Sequence, residues 1–196
     1  MKKQVLAGAL AASIAAVSIA GASLAYFTDT KDADNVFSVG NVTIELTEPN
    51  WELEGKAEAE DMYPGEAVKK DPTVKNIGAN PAFVRVKVEF PEGVDFTYRT
   101  DYVEGKLGDK WVDGGDGYFY YEGVLSNEEG QNVTDALFDQ VVLSTDVEND
   151  VNGAQQHIYV TAQAVQAQGA KASWADVQNM TVADIAAWFT TCGMDA

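Results

Sequence analysis

The 196-residue chain contains one cysteine, one histidine, and only 13 lysine and arginine residues against 31 aspartate and glutamate residues. The single cysteine, Cys192, excludes an internal disulfide, so the fold must be stabilised by its hydrophobic core. The single histidine, His157, excludes a zinc site of the H-E-x-x-H type, which needs two histidines one helical turn apart. The formal net charge of −18 opposes binding to nucleic acid and to anionic membrane surfaces.

Nucleophilic catalysis has little support in the remaining residues. A Ser-His-Asp site would have to use His157, and no G-x-S-x-G motif surrounds any serine. Cysteine catalysis would require Cys192 to lie beside His157. The inventory of reactive groups therefore favours a non-enzymatic protein, and we predict no catalytic residue and no bound cofactor.

The first 25 residues are typical of a signal peptide. Lys2 and Lys3 form a positive n-region, an apolar stretch follows from Val5 to Ile19, and Ser23-Leu24-Ala25 is a small-x-small cleavage site. We predict cleavage between Ala25 and Tyr26. Cleavage removes two lysines and no acid, which takes the formal net charge from −18 to −20.

The same apolar region offers an alternative, because the run from Val5 to Phe27 is long enough to span a bilayer. The chain would then be held in the membrane through an uncleaved signal segment. In either case the acidic remainder repels copies of itself, and lower pH or added cations should weaken that repulsion.

Residues 40–169 predict short strands separated by turn residues. The clearest pattern is AFVRVKVEF, bracketed by Pro81 and Pro91, in which side chains alternate between two faces. One face is apolar and the other carries charge, so a half-buried strand is expected, with these two sets of residues: Ala82, Val84, Val86, Val88 and Phe90 against Phe83, Arg85, Lys87 and Glu89.

Further strand patterns complete the predicted fold. Pro72 interrupts the strand pattern between Ala67 and Ile77, and a glycine-rich turn at 113–117 joins a predicted hairpin. The other predicted strands are Val42–Leu46, Trp111–Val112, Tyr118–Tyr121, Ala136–Ser144 and His157–Gln168. Seven or eight such strands predict an all-β protein, an antiparallel β-sandwich of two sheets.

Residues 170–196 predict a short helical tail. Ser173 and Thr181 are each followed three residues later by an aspartate, which is typical of helix N-termini. Two small helices packed on the sandwich are expected.

Calcium is the metal ion that the acidic loops best suit, because alternating carboxylates can converge on a hard cation. Oxygen-bearing side chains stand at every second position in one acidic loop, at Asp146, Glu148, Asp150 and Asn152. Val151 and His157, however, occupy the positions where an EF-hand has glycine and glutamate. A solvated acidic loop is the alternative to this weak calcium site.

The N-terminal junction resembles that of the TasA/camelysin family of exported bacterial proteins. The junction LAYFTD, Leu24 to Asp29, is followed by FSVG, Phe37 to Gly40, and further similar segments are VKNIGANPAFVRVKVEF, DGYFYY and IYVTAQAVQAQ. Together the resemblance spans about residues 20–168. It implies a jelly-roll-like sandwich, processing by a dedicated signal peptidase of the SipW-dependent type, and a secreted or cell-surface location.

The resemblance to TasA also implies self-association into biofilm-matrix fibres. In such fibres the mature N-terminal segment of one subunit adds as a strand to the next. Here the donor strand would be residues 26–39, whose polar, acidic middle need not collapse onto its own domain. The expected assembly residues are Phe27, Asp29, Val36, Phe37 and Val39.

Two other functions remain open. Camelysins are described as metalloendopeptidases, which makes a cell-surface peptidase the rival interpretation. A monomeric surface adhesin could instead use exposed aromatic residues such as Tyr118 to Tyr121 as its contact site, although burial within the hairpin is the more common fate of such residues.

Overall fold

The computed structural model describes residues 41–60, 62–146 and 156–194. The predicted signal peptide, its cleavage site and the donor segment 26–39 lie outside these ranges, as do Glu148, Asp150 and Asn152. The described residues all belong to one unit, Val39–Ala196.

Ten strands form three antiparallel sheets in the described part of the chain. One sheet has the order β10-β4-β8-β7, the second has the order β2-β9-β5-β6, and β1 pairs with β3. The strands are β1 (Ile44–Thr47), β2 (Ala67–Lys69), β3 (Thr73–Asn76), β4 (Ala82–Glu89), β5 (Phe96–Thr100), β6 (Val103–Glu104), β7 (Trp111–Asp113), β8 (Phe119–Tyr121), β9 (Gln140–Leu143) and β10 (Tyr159–Gln166).

Helices are few and short. A π-helical segment, Trp51–Gly55, continues into α1 (Lys56–Glu58), and the C-terminal tail contains α2 (Trp174–Gln178) and α3 (Val182–Thr191). The all-β class with a helical C-terminal tail is therefore confirmed.

The main core lies between the two four-stranded sheets. Val84 and Val86 of β4 are fully buried and share one apolar cluster with Val68 of β2, Val141 of β9 and Phe138. Their alternation along each strand is what directs them to a common interior. This core accounts for the apolar face of β4 that the sequence predicts.

Pro72 divides the predicted strand as expected. Without an N–H group proline cannot continue a ladder, and here the chain changes sheet: β2 pairs with β9, whereas β3 pairs with β1. The Asp71 carboxylate accepts hydrogen bonds from the backbone N–H groups of Asn50 and Trp51, with shortest N···O distances of 2.9 and 3.2 Å. The break is thus tied to the start of the π-helical segment.

The prediction that β4 is half-buried is wrong for its first half and holds at Lys87 and Glu89, which are partly exposed and exposed. Phe83 and Arg85, on its second face, are 0% and 1% exposed. That face carries a second apolar cluster in which Phe83 and Tyr120 pack with Ile185 and Phe189 of α3. The helical tail covers the sheet, which a pattern within β4 alone cannot reveal.

The β5–β6 hairpin and the helical segment at 51–58 are absent from the sequence prediction. The hairpin turn uses Asp101 and Tyr102 with φ angles of 52° and 64°. Left-handed turns of this kind usually contain glycine or asparagine, and neither residue is present here to mark it.

Candidate functional site

Two strand edges lie side by side without pairing to each other. Within the described ranges β1 pairs only with β3, and β10 pairs only with β4, yet β1 and β10 are in contact. We call the space between these edges, bounded by residues 42–46 and 158–164, the β1–β10 groove.

The backbone of β1 directs alternate residues into this groove. Thr43 O accepts a hydrogen bond from Ile77 N (2.9 Å), and Asn41 O accepts one from Ala79 N (3.1 Å), so odd-numbered residues of β1 face β3. Because backbone groups alternate along an antiparallel strand, the N–H and C=O groups of Val42, Ile44 and Leu46 point the other way.

The backbone of β10 follows the same rule. Ala167 N donates to Pro81 O (3.0 Å), so the odd-numbered residues of β10 face β4. The N–H and C=O groups of these even-numbered residues therefore point into the groove: Ile158, Val160, Ala162 and Ala164. Across the described part of the chain, none of the four has a backbone partner on that side.

Side chains along the groove form an apolar floor. Half-buried residues from both strands pack against the main core, namely Ile44, Leu46, Ile158, Val160, Ala162 and Ala164. Two of these, Ala162 and Ala164, are the smallest of the six side chains. An apolar floor flanked by unpaired backbone groups is what an added β-strand requires.

One end of the groove opens into a cleft of about 400 Å³. Its walls include Leu46 and Val160 together with charged residues. Lys70 Nζ lies 2.9 Å from the Glu48 carboxylate and 4.9 Å from the centre of the Trp51 ring, and Lys70 is only 5% exposed. This ion pair between buried Lys70 and partly buried Glu48 marks the polar end of an otherwise apolar groove.

The predicted calcium ligands are represented by one residue in the structure. Asp146 is exposed, and its backbone N–H donates to Ser144 Oγ at 3.2 Å. In residues 41–60, 62–146 and 156–194 no group of three His, Cys, Asp or Glu side chains is placed to hold a metal ion. The calcium site stays a prediction.

Neither His157 nor Cys192 has the surroundings of a catalytic residue. His157 is exposed and its ring stacks on Tyr159, with centroids 6.0 Å apart. Cys192 is an exposed residue at the end of α3, and desolvation of its sulfur raises the pKa of the thiol. A raised pKa favours the protonated, weakly nucleophilic form at neutral pH.

The three tyrosines between 118 and 121 are buried, as the alternative to an adhesin contact site predicts. Tyr118, Tyr120 and Tyr121 are 8%, 0% and 6% exposed, because β8 is packed on both faces. Burial, followed by the hydrogen bond to Asp116, raises the pKa of Tyr120. These rings stabilise the fold and are not available to a partner.

No helix in the described ranges is both long enough and apolar enough to cross a membrane.

A zinc centre does not fit the described residues. The sequence has one histidine, and that side chain lies at the surface against a tyrosine ring.

The sequence analysis did not identify the β1–β10 groove, although it did identify the alternation of apolar residues in both strands that bound it.

Comparison with known proteins gives one result. The family model described as camelysin metallo-endopeptidase matches residues 1–90, which include the predicted signal peptide and strands β1 to β4. A search of the curated proteins finds no match. The family match identifies the TasA/camelysin family in residues 1–90 and confirms the resemblance seen in the sequence over that part of the chain.

Proposed function

We propose that this protein is a secreted structural subunit of the bacterial cell surface or biofilm matrix, which assembles head-to-tail into fibres by N-terminal donor-strand exchange. The observation that carries the proposal is the β1–β10 groove. It combines an apolar floor with backbone groups that have no partner among the described residues, and the family match adds support for a surface protein.

The donor in this proposal is residues 26–39 of a neighbouring copy. The incoming strand pairs with β10, the longer edge, and places alternate side chains over Ala162 and Ala164. Some Cα atoms of β1 and β10 lie within 8 Å of each other, closer than the roughly 9.6 Å that an intervening strand occupies. Pairing with both edges therefore requires the groove to widen.

The connection between the donor segment and β1 favours insertion into the groove of a neighbouring copy over insertion into the groove of the same chain. Gly40 is followed immediately by Asn41, whose carbonyl already pairs with Ala79. A segment of 14 residues can extend roughly 45 Å from that point, whereas entry into its own groove requires reversal at Gly40. Each donor then leads directly into the next domain, and the head-to-tail contact propagates without closing.

The first test compares a protein that begins at Tyr26 with one that begins at Gly40. The longer protein should form filaments visible by negative-stain electron microscopy, and the shorter protein should remain a folded monomer because it lacks the donor. Filaments from both proteins, or from neither, would contradict the donor role of residues 26–39.

A mixing experiment tests the acceptor side with matched variants. Ala162→Trp fills the groove and leaves the donor intact, whereas Thr161→Trp places the same side chain on the opposite, exposed face of β10. The Ala162→Trp protein should not polymerise alone, but should form a one-to-one complex with the protein that begins at Gly40. The Thr161→Trp protein should polymerise normally.

The family description offers a second function, that of a metalloendopeptidase. Chelator-sensitive degradation of casein by purified protein would favour it. A fibre subunit should degrade no casein, either before or after chelator is added.

A further inference from the structure

The edge of β10 that faces the β1–β10 groove ends at a specific contact with the helical tail. The indole Nε1 of Trp188 donates a hydrogen bond to the backbone carbonyl of Gln166 at 2.9 Å. Gln166 is even-numbered, like the residues that face the groove, so this carbonyl is the next acceptor along the same edge. Trp188 therefore occupies the position that an incoming strand would otherwise reach.

Trp188 is held firmly in that position. It lies on α3 beside Ile185 and Phe189, both 0% exposed, and packs against the second apolar cluster. The end of the tail is bound to the sheet as well, since Arg85 Nη2 donates to Met194 O at 3.0 Å.

The Gln166 side chain is also engaged. Its Oε1 accepts a hydrogen bond from Asn80 Nδ2 at 3.1 Å, and its Nε2 donates to Gln168 O at 3.3 Å. Both the backbone and the side chain at this end of β10 thus have partners, whereas the backbone groups of Ile158, Val160, Ala162 and Ala164 on the groove side have none among the described residues.

Donor-strand exchange needs such an end point. Because side chains alternate with a period of two, a slip of one residue turns the apolar face outward and is strongly opposed. A slip of two residues keeps the apolar face inward, so apolar patterning discriminates poorly against it. A physical stop at one end of the groove removes this ambiguity.

The geometry points to a function for the C-terminal tail: Trp188 is a register stop that limits an incoming strand to the edge from Ile158 to Ala164. The occupant is the N-terminal segment of a second copy, and the inference rests on the proposed function. A paired segment of seven residues is roughly 23 Å long, about half the extended length of residues 26–39. The remainder of the donor spans to the next domain.

Disulfide mapping can measure the register. In a Cys192→Ser background, one donor cysteine at Val36 is combined in turn with an acceptor cysteine at 160, 162, 164 or 166. A slip of two residues moves a Cα atom by roughly 6.6 Å, which takes a cysteine out of disulfide range. With Trp188 present, fibres should cross-link at one acceptor position.

Three variants then test the stop. Trp188→Ala should shift part of the cross-linking by two residues toward 166, and Trp188→Phe, which keeps a ring but loses the N–H donor, should cause a smaller shift. Trp174→Ala, which alters a 40% exposed tryptophan of α2, should leave the register unchanged. Circular dichroism and thermal melting of each variant confirm that the sandwich is folded.

The outcomes separate the two proposals. If all variants cross-link at the same single position as the parent, Trp188 is not a register stop, while donor-strand assembly stands. If the parent protein cross-links at none of the positions and forms no fibres, donor-strand assembly is refuted and the stop is refuted with it.

Discussion

At the scale of single residues, Arg85 is the charge on which the packing of the tail depends. It is 1% exposed, and its guanidinium donates to Gln163 Oε1, Tyr120 Oη and Met194 O over 2.8, 3.2 and 3.0 Å. It also lies over the ring of Phe189, at 4.5 Å. A planar guanidinium suits this arrangement because it can donate in its plane and stack on its faces.

Replacing Arg85 by alanine should lower the free energy of unfolding by about 3 kcal/mol, because buried acceptors lose their donor and a cavity forms. Urea denaturation measures this change. Arg99→Ala is the matched control. Arg99 donates a hydrogen bond to Gln140 Oε1 but stacks on Tyr102, which is 82% exposed. This substitution should therefore lower the free energy of unfolding by less than about 1 kcal/mol. Equal losses in the two variants would contradict the role given to Arg85.

At the scale of elements, α3 shows how a short sequence pattern specifies a helix start. Thr181 Oγ1 accepts a hydrogen bond from Asp184 N, and the Asp184 carboxylate accepts one from Thr181 N, which is a capping box. Hydrogen bonds from Thr181, and then from Lys171, lower the pKa of Asp184 to about 2.

The lowered pKa predicts how the cap responds to acid. A carboxyl with a depressed folded-state pKa stabilises the fold above its ordinary value of 3.8, and this contribution is lost as the pH falls toward 2. The stability difference between the parent and Asp184→Ala should therefore be constant above pH 5 and shrink between pH 4 and pH 2. A difference that is unchanged down to pH 2 would exclude this role of the carboxylate.

At the scale of the whole molecule, net charge should control assembly. The protein that begins at Tyr26 has a formal net charge of −20, since it lacks Lys2 and Lys3 of the −18 chain, and like-charged subunits must approach closely in a fibre. Light scattering of the protein that begins at Tyr26 should rise when the pH is lowered from 7 to 4, or when calcium is added.

The protein that begins at Gly40 is the control for this response, because it has a similar acidic surface but no donor. Its scattering should stay low under the same conditions. Flat scattering from the longer protein would count against charge as the barrier, and an equal rise in both proteins would indicate aggregation without strand exchange.

Local patterns in the sequence predict much of this fold. The alternation in β4, the proline between β2 and β3, the glycine-rich turn before β8, and the Ser173 and Thr181 caps all act over a few residues. Each is therefore visible without knowledge of the rest of the chain. The β5–β6 hairpin was not predicted, because the positive-φ positions of its turn are occupied by Asp101 and Tyr102 and not by glycine.

The sequence by itself determined the all-β class, the acidic charge and the helical tail, since these follow from composition and short-range periodicity. Only the tertiary structure decided that the tail buries the second face of β4, that Tyr120 and Tyr121 of β8 are inaccessible, and that β1 and β10 lie together as edges with no strand between them among the described residues. Those edges are more than 100 residues apart in the chain. Their meeting depends on how whole sheets pack, and no local pattern encodes that.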